Sequence, residues 1–195
     1  MRTPVFVSVA ALLALVVGSA VAQPAAAPAP SPVADTSYRT PTGERVLELG
    51  VDVPAPLDEV WRAFTTAEGF QAWAVKLARV DLRVGGEYET SYDPKAVLGA
   101  PGNIRNRIEA LVPLRLVVIR NVQAPPGAPF DVPSFQALQT AVHFAPVGER
   151  LTRVTLQTAG FGEGQAFDGV YRHFLMGNRW TLAQLRKHLE SPAAR

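Results

Sequence analysis

The chain has 195 residues, 48% hydrophobic and 18% charged, the composition of a globular protein rather than a disordered one. Its net charge is only +2, with no dense lysine/arginine stripe interleaved with aromatics, which argues against nucleic acid as a partner. The absence of cysteine excludes thiol nucleophiles, thiolate metal sites, thioether-linked haem and disulfides, so the core alone must hold the fold.

Residues 1–22 read as an export signal. Arg2 supplies a positive start, Val5 to Val17 is almost unbroken apolar sequence, and Ala20-Val21-Ala22 fits a small-x-small cleavage site with Gln23 as the mature N-terminus. The run is short for a membrane span of about twenty residues; an uncleaved N-terminal anchor is the other reading. With no cysteine after it, a lipid anchor is excluded, and with no Arg-Arg pair before it, general secretion is favoured. The expected location is the periplasm or the extracellular space, with no stable membrane span after cleavage. Residues 23–43 are rich in Ala, Pro, Ser and Thr and are expected to be a disordered spacer, the alternative being a docking peptide for a proline-reading module.

Residues 44–190 have the size of one domain, followed by a short tail at 191–195. Leu47, Leu49, Val51 and Val53 alternate with Glu48 and Asp52, the pattern of a strand with one buried face. Pro54 and Pro56 end it, and Pro56 suits a helix start, with Asp58 and Glu59 near the positive end of the dipole. Leu57, Val60, Trp61 and Phe64 form that helix's apolar stripe, and Thr66 to Trp73 reads as a second short helix with Phe70 and Trp73 inward. Arg79 to Val84 and Glu87 to Tyr92 read as strands joined at Gly85-Gly86.

Ile104 to Leu111 is a predicted strand with Ile104, Asn106 and Ile108 on one face and Arg105, Arg107 and Glu109 on the other. Leu116 to Val122 follows, then a proline-rich loop from Gln123 to Ser134, then strands near 137–145 and 151–158. From Gln165 to Leu189, Phe167, Val170, Tyr171, Phe174, Leu182, Leu185 and Leu189 recur at helical spacing, interrupted at Gly177-Asn178.

Three stretches carry a family resemblance. They are Val51-Asp52-Val53-Pro54-Ala55-Pro56-Leu57-Asp58-Glu59-Val60-Trp61-Arg62-Ala63-Phe64 with Gly69-Phe70-Gln71-Ala72-Trp73, then Asp81-Leu82-Arg83-Val84-Gly85-Gly86, then Gly177-Asn178-Arg179-Trp180-Thr181-Leu182-Ala183-Gln184-Leu185. Residues 46–190 thereby resemble the START-like (SRPBCC, helix-grip) superfamily, and within it the family named after the activator of the heat-shock-protein ATPase. The resemblance implies an α+β fold in which a curved antiparallel sheet grips a long C-terminal helix, with a ligand cavity between them. These motifs are patterns of apolar and turn residues, so they specify architecture better than chemistry.

A search for chemistry finds little. His143, His173 and His188 share no metal-ligand spacing, and no nucleophile elbow, phosphate-cradling loop or dinucleotide fingerprint is present, so no metal, cofactor or catalytic set is expected. Tyr88 and Tyr92 alternate with Glu87 and Glu89. One register puts the tyrosines inward, offering hydroxyls to a ligand, with the glutamates in water. The other brings two carboxylates into the cup as an acid/base pair. Arg105 and Arg107 either pair with carboxylates on a neighbouring strand or hold an anionic group.

Two functions follow. One is a non-catalytic carrier or sensor of a small hydrophobic or amphipathic molecule, held by Trp73, Tyr88, Tyr92, Phe144, Tyr171 and Phe174 with His173 as the polar group. The other is a cyclase- or hydrolase-like enzyme using cavity Tyr, His or Glu as acid/base groups. Chaperone-ATPase activation, which the family's name suggests, sits poorly with export. Oligomeric state stays open.

Overall fold

The computed structural model describes residues 31–190. The expected signal peptide, residues 23–30 of the expected spacer and the tail at 191–195 lie outside the described residues. The spacer's end does not match the expectation. Two short strands, β1 (Ala34–Asp35) and β2 (Tyr38–Arg39), pair with the first long strand, β3 (Arg45–Val53). Val33 is buried, and Asp35 meets Arg179 at 3.0 Å. A polar, proline-containing stretch orders here because an open strand edge supplies its backbone partners, which composition does not reveal.

In β3, Leu47, Leu49, Val51 and Val53 are buried on one face. Pro56, in extended conformation, caps helix α1 (Leu57–Thr65), whose Val60, Trp61 and Phe64 are buried. Thr66 caps α2 (Ala67–Trp73), its hydroxyl oxygen accepting from the Gly69 amide at 3.0 Å.

Strand β4 (Leu77–Val80) lies earlier than expected, because the turn into β5 (Glu87–Ser91) begins at Asp81. The Asp81 carbonyl accepts from Arg83 at 2.8 Å, and a side chain at Gly86 would meet that carbonyl oxygen at 2.0 Å. Gly85 takes φ +80°, the left-handed region open to glycine.

Next come β6 (Ile104–Val112) and β7 (Leu116–Gln123), and then α3 (Val132–Gln136), part of which the sequence reading assigned to loop. Asp131 caps α3 by accepting from the Ser134 amide at 2.8 Å, with Pro133 in its first turn. Strands β8 (Gln139–Gly148) and β9 (Leu151–Phe161) run longer than expected, and α4 (Gln165–Glu190) completes the fold.

The sheet is antiparallel throughout, in the order β1-β3-β9-β8-β7-β6-β5-β4, with β2 also on β3. It curves around α4, a continuous 26-residue helix about 39 Å long at 1.5 Å per residue. Val170, Leu182, Leu185 and Leu189 of α4 are buried in a core shared with Leu47, Leu49, Phe144 and Val154. Arg45 pins the first turn of α4, bonding Asp168 at 2.5 Å and the Gly162 carbonyl at 2.6 Å. Among the described residues no helix is long and apolar enough to cross a membrane.

Candidate functional site

A cavity of about 190 Å3 separates the concave face of the sheet from α4. Its walls are apolar: Phe64 and Phe70 from the two N-terminal helices, Ile104, Val117, Ile119, Val142 and Leu156 from the sheet, Phe135 from α3 and Phe174 from α4. Strand alternation explains the sheet's share, since Ile104 and Asn106 on β6, and Thr140 and Val142 on β8, are two apart and project to one face. Among the described residues, no Asp, Glu, Lys or Arg lines the cavity.

Its polar groups are neutral, and several are already engaged. Tyr88 donates to the Phe64 carbonyl at 2.6 Å, and Asn121 Nδ2 donates to the Phe135 carbonyl at 3.0 Å. The Thr140 and Thr158 hydroxyls share a hydrogen at 2.9 Å. Asn106 is buried, and its Oδ1 has no hydrogen-bond partner among the described residues. His173 sits exposed at the rim, 4.6 Å from the Phe130 ring and 6.2 Å from the Phe174 ring, and the partial desolvation these rings impose lowers its pKa below the ordinary imidazole value. Tyr92 is half exposed at the rim, 6.4 Å from Trp180 edge to face, with its hydroxyl pKa raised by burial.

Of the residues expected at the site, Tyr88, Tyr92, His173 and Phe174 line the cavity, whereas Trp73, Phe144 and Tyr171 do not. Trp73 packs on Phe64 and Phe70 and donates its indole N–H to the Ala63 carbonyl at 3.0 Å. Phe144 shares the inner face with Val142, but Trp61 at 5.1 Å and Phe64 at 5.8 Å fill that end of the cup. Tyr171 turns aside against Phe161 at 5.0 Å, beneath the Arg45 guanidinium at 5.4 Å.

The glutamates face away from the cavity, though not both into water. Glu87 pairs with Arg105 and with Arg79 at 3.3 Å, and the Arg105 hydrogen bonds hold its pKa low. Glu89 is fully buried beneath the loop that leads into β6. Its Oε1 accepts from the Gly99 amide and from Asn103 Nδ2, each at 2.6 Å, and its Oε2 lies 2.9 Å from Arg79. Neither carboxylate is an acid/base group for the cavity. His143 also lies elsewhere, its Nε2 3.0 Å from Gln157 Oε1.

Sequence reasoning missed Asn106, Asn121, Thr140 and Asn178 as cavity residues. Asn106 carried a legible signal: it falls between Ile104 and Ile108 on a face that is otherwise apolar.

The family described as "Activator of Hsp90 ATPase homolog 1-like protein" matches residues 54–190, from just before α1 to the end of α4. The chain belongs to this family. No curated protein matches it. Its fold is similar to that of the Aha1 dimer from Colwellia psychrerythraea, at TM-score 0.57 and 16% identity over 74% of this chain and 96% of that one. It is similar also to CalU16 from Micromonospora echinospora, at TM-score 0.54 and 21% identity over 83% and 87% of the two chains. A third similar fold is that of PFC0360w, an HSP90 activator from Plasmodium falciparum, at TM-score 0.52 and 20% identity over 73% and 91%. At these identities the likeness to the three structures is one of fold. β1 to β3 precede the matched segment.

Proposed function

We propose that the protein binds a small, uncharged, hydrophobic or amphipathic molecule between the sheet and α4 without transforming it. We propose further that residues 1–22 export it, so that it works in the periplasm or outside the cell. One observation carries the binding reading: the cavity is walled by aromatic and branched side chains and, among the described residues, lined by no charged one. Burying an ion there without a counter-charge is costly, so a neutral guest is favoured.

Engineered cavities of about 150 Å3 accept benzene, so this space suits a guest of roughly one ring or a short branched chain. The enzyme reading lacks its carboxylate partner, because Glu87 and Glu89 pair with arginines on the other face of the sheet. Chaperone activation, which appears in the family's description and in that of one structural neighbour, does not fit a chain exported as we propose.

The test is native mass spectrometry of the protein purified from its own cell envelope, repeated after denaturation. A mass excess that disappears on denaturation supports the proposal and delivers the molecule for identification. A bare-chain mass from every preparation, with no shift on adding small neutral aromatics, would sink it.

A further inference from the structure

Three polar side chains stand in one cross-strand row on the concave face. Tyr88 on β5 is paired with Asn106 on β6, which is paired with Asn121 on β7. The outer two are anchored to backbone: Tyr88 to the Phe64 carbonyl of α1, and Asn121 to the Phe135 carbonyl of α3. Each therefore does a structural job, tying a helix to the sheet. Asn106 between them ties nothing. It is 7% exposed, lines the cavity, and its Oδ1 is buried without a hydrogen-bond partner among the described residues.

An unpaired buried amide is destabilising, and native proteins tolerate few such groups without a use for them. Leucine has the same branched outline, lacks the polar atoms, and would suit the neighbouring Ile104 and Ile108. The polar group thus works against the empty fold at a position where an apolar one would serve packing better.

We propose that Asn106 is the specificity residue of the cavity: its carboxamide turns so that Oδ1 meets the guest and accepts a hydrogen from it, and the protein thereby selects neutral apolar molecules bearing a hydroxyl or N–H group. This rests on the cavity being a binding site, and it narrows the class of molecule bound there. A site with a buried acceptor discriminates against the guest that lacks the donor, because that guest leaves the acceptor unpaired. Asn121 and Tyr88 hold the rim elements and leave recognition to the residue between them.

The experiment compares toluene with p-cresol, which differ by one hydroxyl, by NMR titration of the purified protein and of Asn106→Leu. Using the ratio of the two affinities cancels steric effects of the leucine on the shared ring. The expected result is a p-cresol-to-toluene ratio that falls about tenfold in the variant, the loss of one net hydrogen bond. The expected Tm of the ligand-free variant is at least that of wild type. If both probes bind and the ratio is the same in the two proteins, the Asn106 assignment is wrong while the binding cavity stands. If neither probe binds wild type, both ideas fall together. A variant that is less stable or unfolded would make Asn106 a structural residue and overturn the proposal equally.

Discussion

The Tyr88 hydroxyl lies 2.6 Å from the Phe64 carbonyl oxygen, so the phenol that faces the cavity already donates its hydrogen to the end of α1. The bond ties the strand that starts the cup's far wall to the helix that closes its end. Tyr88→Phe should therefore lower unfolding free energy by about 1–2 kcal/mol, since a buried carbonyl loses its donor. Toluene affinity should hold within about twofold, well under the tenfold that 1.4 kcal/mol represents. Urea denaturation and NMR titration of the same variant check the two halves. A stable variant that loses binding would instead make the tyrosine a ligand contact.

Gly177 offers a way to close the cavity from the helix side. It lines the space, and a Cβ built there meets no atom within 4 Å. Gly177→Leu should raise stability by roughly 1 kcal/mol from helix propensity alone, while its side chain occupies the guest's volume. Chemical denaturation should show the gain and titration the loss of toluene binding. Retained binding would place the guest elsewhere.

How much of this was legible in the sequence depends on the range of the interaction concerned. Alternation grouped Leu47 to Val53 on one face, and Asn106 with Ile104 and Ile108 on another, because side-chain direction in a strand is a local property, but it left open whether Tyr88 or Glu89 faces inward. Phe144 is on the correct face too, yet its exclusion from the cavity depends on Trp61 and Phe64 arriving from α1. Glu89 looked solvent-facing, and only the loop carrying Gly99 and Asn103 buries it. The pairing of Ala34 and Tyr38 with β3 likewise needs an edge that no local pattern announces. The unpaired state of Asn106 has the same origin, since pairing is decided by neighbours distant in sequence.

Glu89 is the anchor of the loop between β5 and β6. With Gly99, Asn103 and Arg79 all aimed at it, Glu89→Ala should cost roughly 2–4 kcal/mol, because it strips the partner from buried Asn103, unties the loop at Gly99 and leaves a cavity. Urea denaturation gives the stability, and amide exchange at Gly99 should accelerate more than exchange in β9. A change under about 0.5 kcal/mol, the scatter of ordinary surface substitutions, would contradict this reading.

The acid side of the stability profile should carry a signature of His173. Burial depresses its pKa below the unfolded value of 6.5, so the unfolded chain takes up that proton first as the pH falls. Its contribution is fully present above 6.5 and is lost as the pH drops from there toward the folded value. Asp35 and Asp52 are held low by hydrogen bonds from Ser37 and Arg153 respectively, with Arg179 and Arg186 adding charge, so their losses come below about 3.8. His173→Phe should therefore flatten the decline that sets in below about pH 6.5 and leave the more acidic limb in place. Parallel curves for the two proteins would show that the imidazole is not desolvated.

The central claim is that the space between the sheet and α4 is a binding site, and intermolecular NOEs test it most directly. With methyl-labelled protein and toluene, the expected result is saturable shifts and NOEs from the ring to the methyls of Ile119, Val142 and Leu156, which line the cavity. NOEs confined to exposed Val97, Leu98 and Met176, or shifts that never saturate, would contradict it.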